Sequence, residues 1–280
     1  MKYDKFRSTV LEKIVREFDN PDPGLFRGHG PYDHIISNPK DSKDRERIVN
    51  EYLLLPDVPK IQGEIKLHPD AHHMNSSQIM CYNFFRPLLK EYNKNKKDYK
   101  PSDELVDLVG KIIDTPLENK NSSCKFEYIQ PNTDTTNFDF YLKCSDVEVF
   151  FEIKYTEKEF AKKKVTPDSE LQYEKVYKPM ISKAEHIFKD KVISASDFLK
   201  NFQLLRNAIR AIDNNKYVVF ICPRAHDNLV NQYNKFKEQF LSPKGEEHVK
   251  LVTWESLLTA AEELSINQGE FCKRYISFLP

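Results

Sequence analysis

The stretch Thr136–Tyr155, T-N-F-D-F-Y-L-K-C-S-D-V-E-V-F-F-E-I-K-Y, reads as two adjacent β-strands joined by a short polar turn. Side chains of a strand alternate between its two faces. In the first strand Phe138, Phe140 and Leu142 share one face, and Asn137, Asp139 and Tyr141 the other. In the second, Val149, Phe151, Ile153 and Tyr155 alternate with Glu148, Phe150, Glu152 and Lys154. Glu152 and Lys154 therefore project from one face, a single pleat apart, and an antiparallel hairpin lets Asp139 lie beside them. Two carboxylates and an amine in apolar strands are costly to bury unless they bind something or one another. A metal ion and a phosphate would satisfy all three.

The 280 residues suffice for one large domain, or for one domain with an extension. With 39% hydrophobic and 12% aromatic residues the chain can build a sizeable core. Its 43 basic and 43 acidic residues cancel to a formal net charge of zero. A general nucleic-acid coat protein is usually basic, so any such contact here has to come from local patches. Only seven glycines occur, none in G-x-x-x-x-G-K or G-x-G-x-x-G, which argues against an ATPase, a dinucleotide enzyme or any nucleotide cofactor. Cys81, Cys124, Cys144, Cys222 and Cys272 are scattered and never spaced C-x-x-C. Reduced thiols in a cytoplasmic protein fit that pattern better than disulfides or zinc. The N-terminus has no apolar signal region and no stretch approaches a membrane span, so no membrane association is expected.

Outward from the hairpin, Cys124–Gln130 predicts a preceding strand and Pro131–Thr135 a turn. Residues 4–18 predict an amphipathic helix, Asn20–Pro39 a loop and Asp44–Leu55 a short helix. Residues 1–65 are taken as an N-terminal helical and loop extension, and 66–280 as the main domain. Asn75 or Ser76 caps a helix that Pro87 kinks or shortens, and Ser102–Asp114 is another helix. Residues 157–195 read as a charged insertion containing a helix near Leu171–Phe188. Ser196 then caps a helix with Phe198, Phe202, Leu205, Ile209 and Ile212 on one stripe, and Leu199, Gln203, Arg206 and Arg210 on a neighbouring one. Lys216–Cys222 reads as a buried strand, Asp227–Phe240 as a helix, Val249–Trp254 as a strand and Glu255–Leu264 as a terminal helix. The result is an α/β fold, a central mixed β-sheet flanked by helices with a helical N-terminal extension.

Through F-D-F at Asp139 and E-I-K at Glu152–Lys154, with twelve residues between the carboxylates, the chain resembles the PD-(D/E)xK nuclease superfamily, the restriction-endonuclease-like fold. The likeness covers Cys124 to Trp254. The family's proline before the first acid is absent; Asn137-Phe138 stands there. A narrower likeness, carried by N-S-S-Q-I-M-C-Y-N-F-F-R-P-L-L and F-Q-L-L-R-N, is to a bacterial restriction-endonuclease family. The resemblance implies a DNA endonuclease of restriction or defence type that leaves 5′-phosphate and 3′-hydroxyl ends. It implies that Asp139, Glu152 and the Ile153 carbonyl bind Mg²⁺, or Mn²⁺ in its place, and that Lys154 orients or activates the attacking water. It also implies Gln203 on the following helix near the active site and, by analogy, a homodimer for double-strand cutting.

The bland alternatives are an ordinary strand pair with a salt bridge, or a catalytically silent nucleic-acid-binding or assembly module on the same fold. Glu127 is a candidate third acid. Gln78 either approaches the site or caps its helix. His68, His72 and His73 read as loop or helix-start residues rather than as a zinc site. Lys90–Lys100 and Lys162–Lys164 are candidate DNA-facing patches or solvated charge.

Overall fold

A computed structural model describes residues 2–18, 20, 22–131, 136–190 and 192–280. Nine strands are described. β1 (Pro23–Phe26) and β2 (His29–Ile36) form a small hairpin. β3 (Leu89–Asn93), β4 (Asp98–Pro101), β5 (Ser123–Ile129), β6 (Asn137–Cys144), β7 (Val147–Ile153), β8 (Lys216–Cys222) and β9 (Val249–Thr253) form one sheet in that order. Neighbours from β3 to β7 are antiparallel; β7, β8 and β9 are parallel. The sheet is thus mixed, as the alternation of strands and helices predicts.

The helices are α1 (Tyr3–Glu17), α2 (Ser42–Ile48), α3 (Ser77–Phe85), α4 (Asp103–Ile113), α5 (Pro167–Gln172), α6 (Lys178–Lys183), α7 (Ala195–Lys200), α8 (Phe202–Ala208), α9 (Asp227–Phe240), α10 (Pro243–His248), α11 (Trp254–Glu263) and α12 (Gly269–Phe271). One face of the sheet buries Phe140, Leu142, Val149, Phe151 and Ile153 against α1, α3, α4 and α11. The other buries Phe138, Tyr141, Phe150, Val218 and Phe220 against α7, α8, α9 and the 160–193 segment. This is a three-layer α/β architecture of the restriction-endonuclease-like kind. Phe6, Val10, Ile14, Ile48 and Val49, all from residues 1–65, join the first of these clusters.

Three local expectations are corrected. Residues 20–39 contain β1 and β2 rather than loop alone. Their strands are short and exposed, and an added Cβ on Gly24 would lie within 3.0 Å of the Ser37 backbone, so close chain approach replaces apolar alternation. The lysine-rich 90–100 run is an edge hairpin, where charged side chains discourage pairing with another chain.

The helix after the insertion begins at the Ser194 cap, not Ser196, and breaks at Asn201. The 161–163 segment causes that break. The Leu199 carbonyl accepts from Lys163 N at 2.9 Å, and the Gln203 N–H goes to the Ala161 carbonyl at 3.0 Å, so an outside strand of chain enters the helical ladder.

Strand alternation also fails at Asp139. Phe138 packs with Phe150 in one cluster, whereas Phe140 and Leu142 pack in the other. The same reversal occurs in β5, where Phe126 and Tyr128 join opposite clusters. Between them Glu127 holds a left-handed φ of 50°. The two strands bend together, and the bend sits beside the acidic residues.

Candidate active site

Asp139 lies just past the last β6–β7 pair, Phe140–Phe151. Its Oδ2 accepts the Ile153 backbone N–H at 2.6 Å. A carboxylate thus takes over where the strand ladder stops, and it brings the Ile153 peptide against Asp139. Glu152, 5% exposed, is fully ligated within the chain. Its Oε1 accepts from Lys154 Nζ at 2.9 Å and from Gln203 Nε2 at 2.8 Å, and its Oε2 from Asn207 Nδ2 at 3.0 Å. The Lys154 side chain is itself only 11% exposed, and its carbonyl accepts from the Trp254 indole at 3.3 Å. Trp254 is therefore a fully buried aromatic that also holds the end of β7.

A cavity of about 500 Å³ joins these groups. Asp139, Glu152, Gln203, Glu127, Asn137, Gln78, His68 and His73 all line it, and Lys154 reaches the group through its bond to Glu152. Asp139, Glu152, Lys154 and Gln203 are thus brought together. Glu127 joins them, accepting from Asn137 Nδ2. Gln78 lines the cavity instead of capping; Ser76 is the cap of α3, and Gln78 bridges His68 N and the Lys66 carbonyl.

Electrostatics follow from the crowding. Burial, then Glu152 and Glu127, raise the Asp139 pKa well above its usual value, against the opposing pull of Lys154 and the Ile153 N–H. Burial raises Glu127, partly countered by hydrogen bonds from Gln78 and Asn137. For Lys154, burial alone would favour loss of the proton. Glu152, Glu157 and Asp139 outweigh it and hold the amine above its usual range. The amine is a fixed cation, and the carboxylates form a site short of positive charge.

The donor set suits a hard divalent cation. Its acidic members are oxygen donors; the imidazoles of His68 and His73 also line the cavity, and among the described lining residues there is no thiolate. Mg²⁺ uses one or two carboxylates and completes its shell with water and phosphate oxygens. Among the described residues no group of three His, Cys, Asp or Glu side chains is arranged to hold a metal alone.

Asn207, which holds Glu152 Oε2, is the neighbour of the candidate site that sequence reasoning missed. It lies one helical turn beyond Gln203, inside F-Q-L-L-R-N, so the i, i+4 spacing was the available signal. Arg210, expected on a polar stripe, is 3% exposed and donates to Thr136 Oγ1 at 3.3 Å. Lys162 pairs with Glu159, and Lys163 covers the Phe202 ring, so both are engaged within the chain. The Lys90–Lys100 run lines a separate cavity along β3 and β4. No helix among the described residues is long and apolar enough to cross a membrane.

No curated protein and no solved structure matches the chain. A family model does, over residues 21–276, a span that includes the sheet and every acidic residue of the cavity. By that match the chain belongs to the family described as restriction endonuclease associating with ARP.

Proposed function

We propose that this chain is a Mg²⁺-dependent endonuclease that hydrolyses DNA phosphodiester bonds, in a restriction or defence role in the cytoplasm. The observation that carries the reading is the convergence of Asp139, Glu152 and Glu127 on one cavity at the end of β7, with Lys154 held on Glu152. Asp139 and Glu152 would hold Mg²⁺, or Mn²⁺ in its place, with the Ile153 carbonyl as a further ligand. When bound, the ion lowers the pKa of a coordinated water and offsets charge on the phosphoryl oxygens.

The chain's own groups do the positioning. Gln203 and Asn207 fix both oxygens of Glu152, so the carboxylate needs little rearrangement. Lys154 stays protonated, and so it orients the attacking water and balances developing negative charge rather than removing a proton. Cleavage would leave a 5′-phosphate and a 3′-hydroxyl. A homodimer would supply two such centres for double-strand cutting.

One observation favours a second reading. Both Glu152 oxygens are already satisfied within the chain, as expected of a silent binding or assembly module with a structural ion pair. Incubation with plasmid and Mg²⁺ or Mn²⁺ separates the two. Wild type is expected to cut, and Glu152→Ala and Lys154→Ala to fail. Equal cutting by all three, or none by wild type, would overturn the catalytic reading.

A further inference from the structure

The cavity is lined by five carboxylates, Asp70, Glu127, Asp139, Glu152 and Glu157. Among its described lining residues Arg7 is the only lysine or arginine. Arg7 comes from α1, which precedes the residues matched by the family model. It is half-buried, and among the described residues no carboxylate lies within ion-pair distance of it.

α1 is held firmly in place. Phe6, Val10 and Ile14 are buried, and the Phe6 ring packs on His226 at 4.5 Å. On the side facing the cavity, Tyr3 Oη donates to the Thr156 carbonyl at 3.2 Å. Thr156 also lines the cavity, two residues beyond Lys154, and its Oγ1 accepts from Asn75 at 2.7 Å. Arg7 lies one helical turn after Tyr3, so the contact that fixes Tyr3 also fixes where Arg7 emerges.

An unpaired guanidinium in an otherwise acidic cavity needs an anionic partner. A planar fork of N–H donors matches the oxygens of a phosphate, which it can bind in a bidentate way. We propose that Arg7 binds a phosphate of the substrate strand, next to the one that is cut, which makes α1 part of the active site. This rests on the nuclease reading above and adds a substrate contact to it.

The test compares wild type, Arg7→Gln, Arg7→Lys and, as a control on the exposed side of the same helix, Arg16→Gln. Cleavage of a short DNA duplex with Mg²⁺ gives KM and kcat. Binding of the same duplex with Ca²⁺, across a salt series, gives the number of phosphate contacts. Calorimetry with Mn²⁺ alone reports whether the acidic residues are intact. Arg7→Gln is expected to raise KM about tenfold and to reduce the salt slope by about one. kcat and Mn²⁺ binding should stay near wild type, and Arg7→Lys should recover part of the loss. If wild type cuts and Arg7→Gln matches Arg16→Gln in KM and slope, Arg7 has no such role and the nuclease reading stands. Arg7→Gln that loses Mn²⁺ binding makes Arg7 a structural support and overturns the proposal. Wild type that neither binds nor cuts removes both readings.

Discussion

Asp139 Oδ2 and the Ile153 backbone N–H are 2.6 Å apart, so one carboxylate both ends a strand ladder and faces a cavity. These two roles separate on mutation. Asp139→Asn keeps an oxygen acceptor for Ile153 and removes a charge that faces Glu152 and Glu127. It is expected to fold with a Tm at or above wild type. Asp139→Ala strands a buried N–H and should cost about 1–3 kcal/mol. Both variants should lose Mn²⁺ binding by calorimetry. Unchanged Mn²⁺ affinity in Asp139→Asn would remove Asp139 from the metal-binding set.

Glu152 is held by three donors, two of them from α8. Asn207→Ala and Gln203→Ala each leave one carboxylate oxygen short of a partner. Each is expected to cost about 1–3 kcal/mol in urea unfolding and to slow cleavage. Asn207→Asp is the sharper variant, since it places a second carboxylate against Glu152 Oε2. It should be less stable than Asn207→Ala, and still less so as the pH rises above the carboxylate range. Equal stability of the two variants would mean that Asn207 does not contact Glu152 in solution.

Lys154 and Glu152 form an ion pair with side chains 11% and 7% exposed. Breaking such a pair from one side leaves a buried charge behind and costs about 3–5 kcal/mol. Lys154→Met should show that loss, together with a cleavage rate lower by about 10²-fold or more. Glu152→Gln with Lys154→Met should recover much of the stability and none of the activity. A single Lys154→Met variant as stable as wild type would show that the pair is open in solution.

Much of this was legible before folding. Alternation in residues 136–155 gave β6 and β7, and the continuous apolar run of Lys216–Cys222 gave β8, because burial imposes those patterns directly. The E-I-K spacing placed Glu152 and Lys154 together for the same reason. Other features depend on contacts distant in sequence. The face reversal at Asp139 needs the left-handed Glu127 opposite it, and no local pattern announces that. The break before Gln203 needs Ala161 and Lys163 to bond into the helix, so a continuous apolar stripe misled. The segment read as a charged insertion also positions Gln203, whose Oε1 accepts the Ala161 N–H at 2.9 Å.

His34 and His73 supply a pH prediction. Burial brings both imidazoles down to about 4, with Arg7 adding to the effect at His34 and His72 at His73, against the smaller opposing pulls of Asp33 and Asp70. Their rings lie 6.3 Å apart. A folded pKa below the unfolded value of about 6.5 means that protonation favours the unfolded chain. The stability they contribute is complete above about pH 6.5 and is lost as pH falls towards 4. Asp139 and Glu127, with raised pKa values, act in the opposite sense and gain stability as they protonate. The wild-type slope therefore mixes both signs, and a difference between variants is the informative quantity. His34→Gln with His73→Gln should flatten the fall in Tm between pH 6.5 and 4.5, while either single change removes only part of it. A double variant that loses Tm over that range as steeply as wild type would show that these imidazoles are open to solvent.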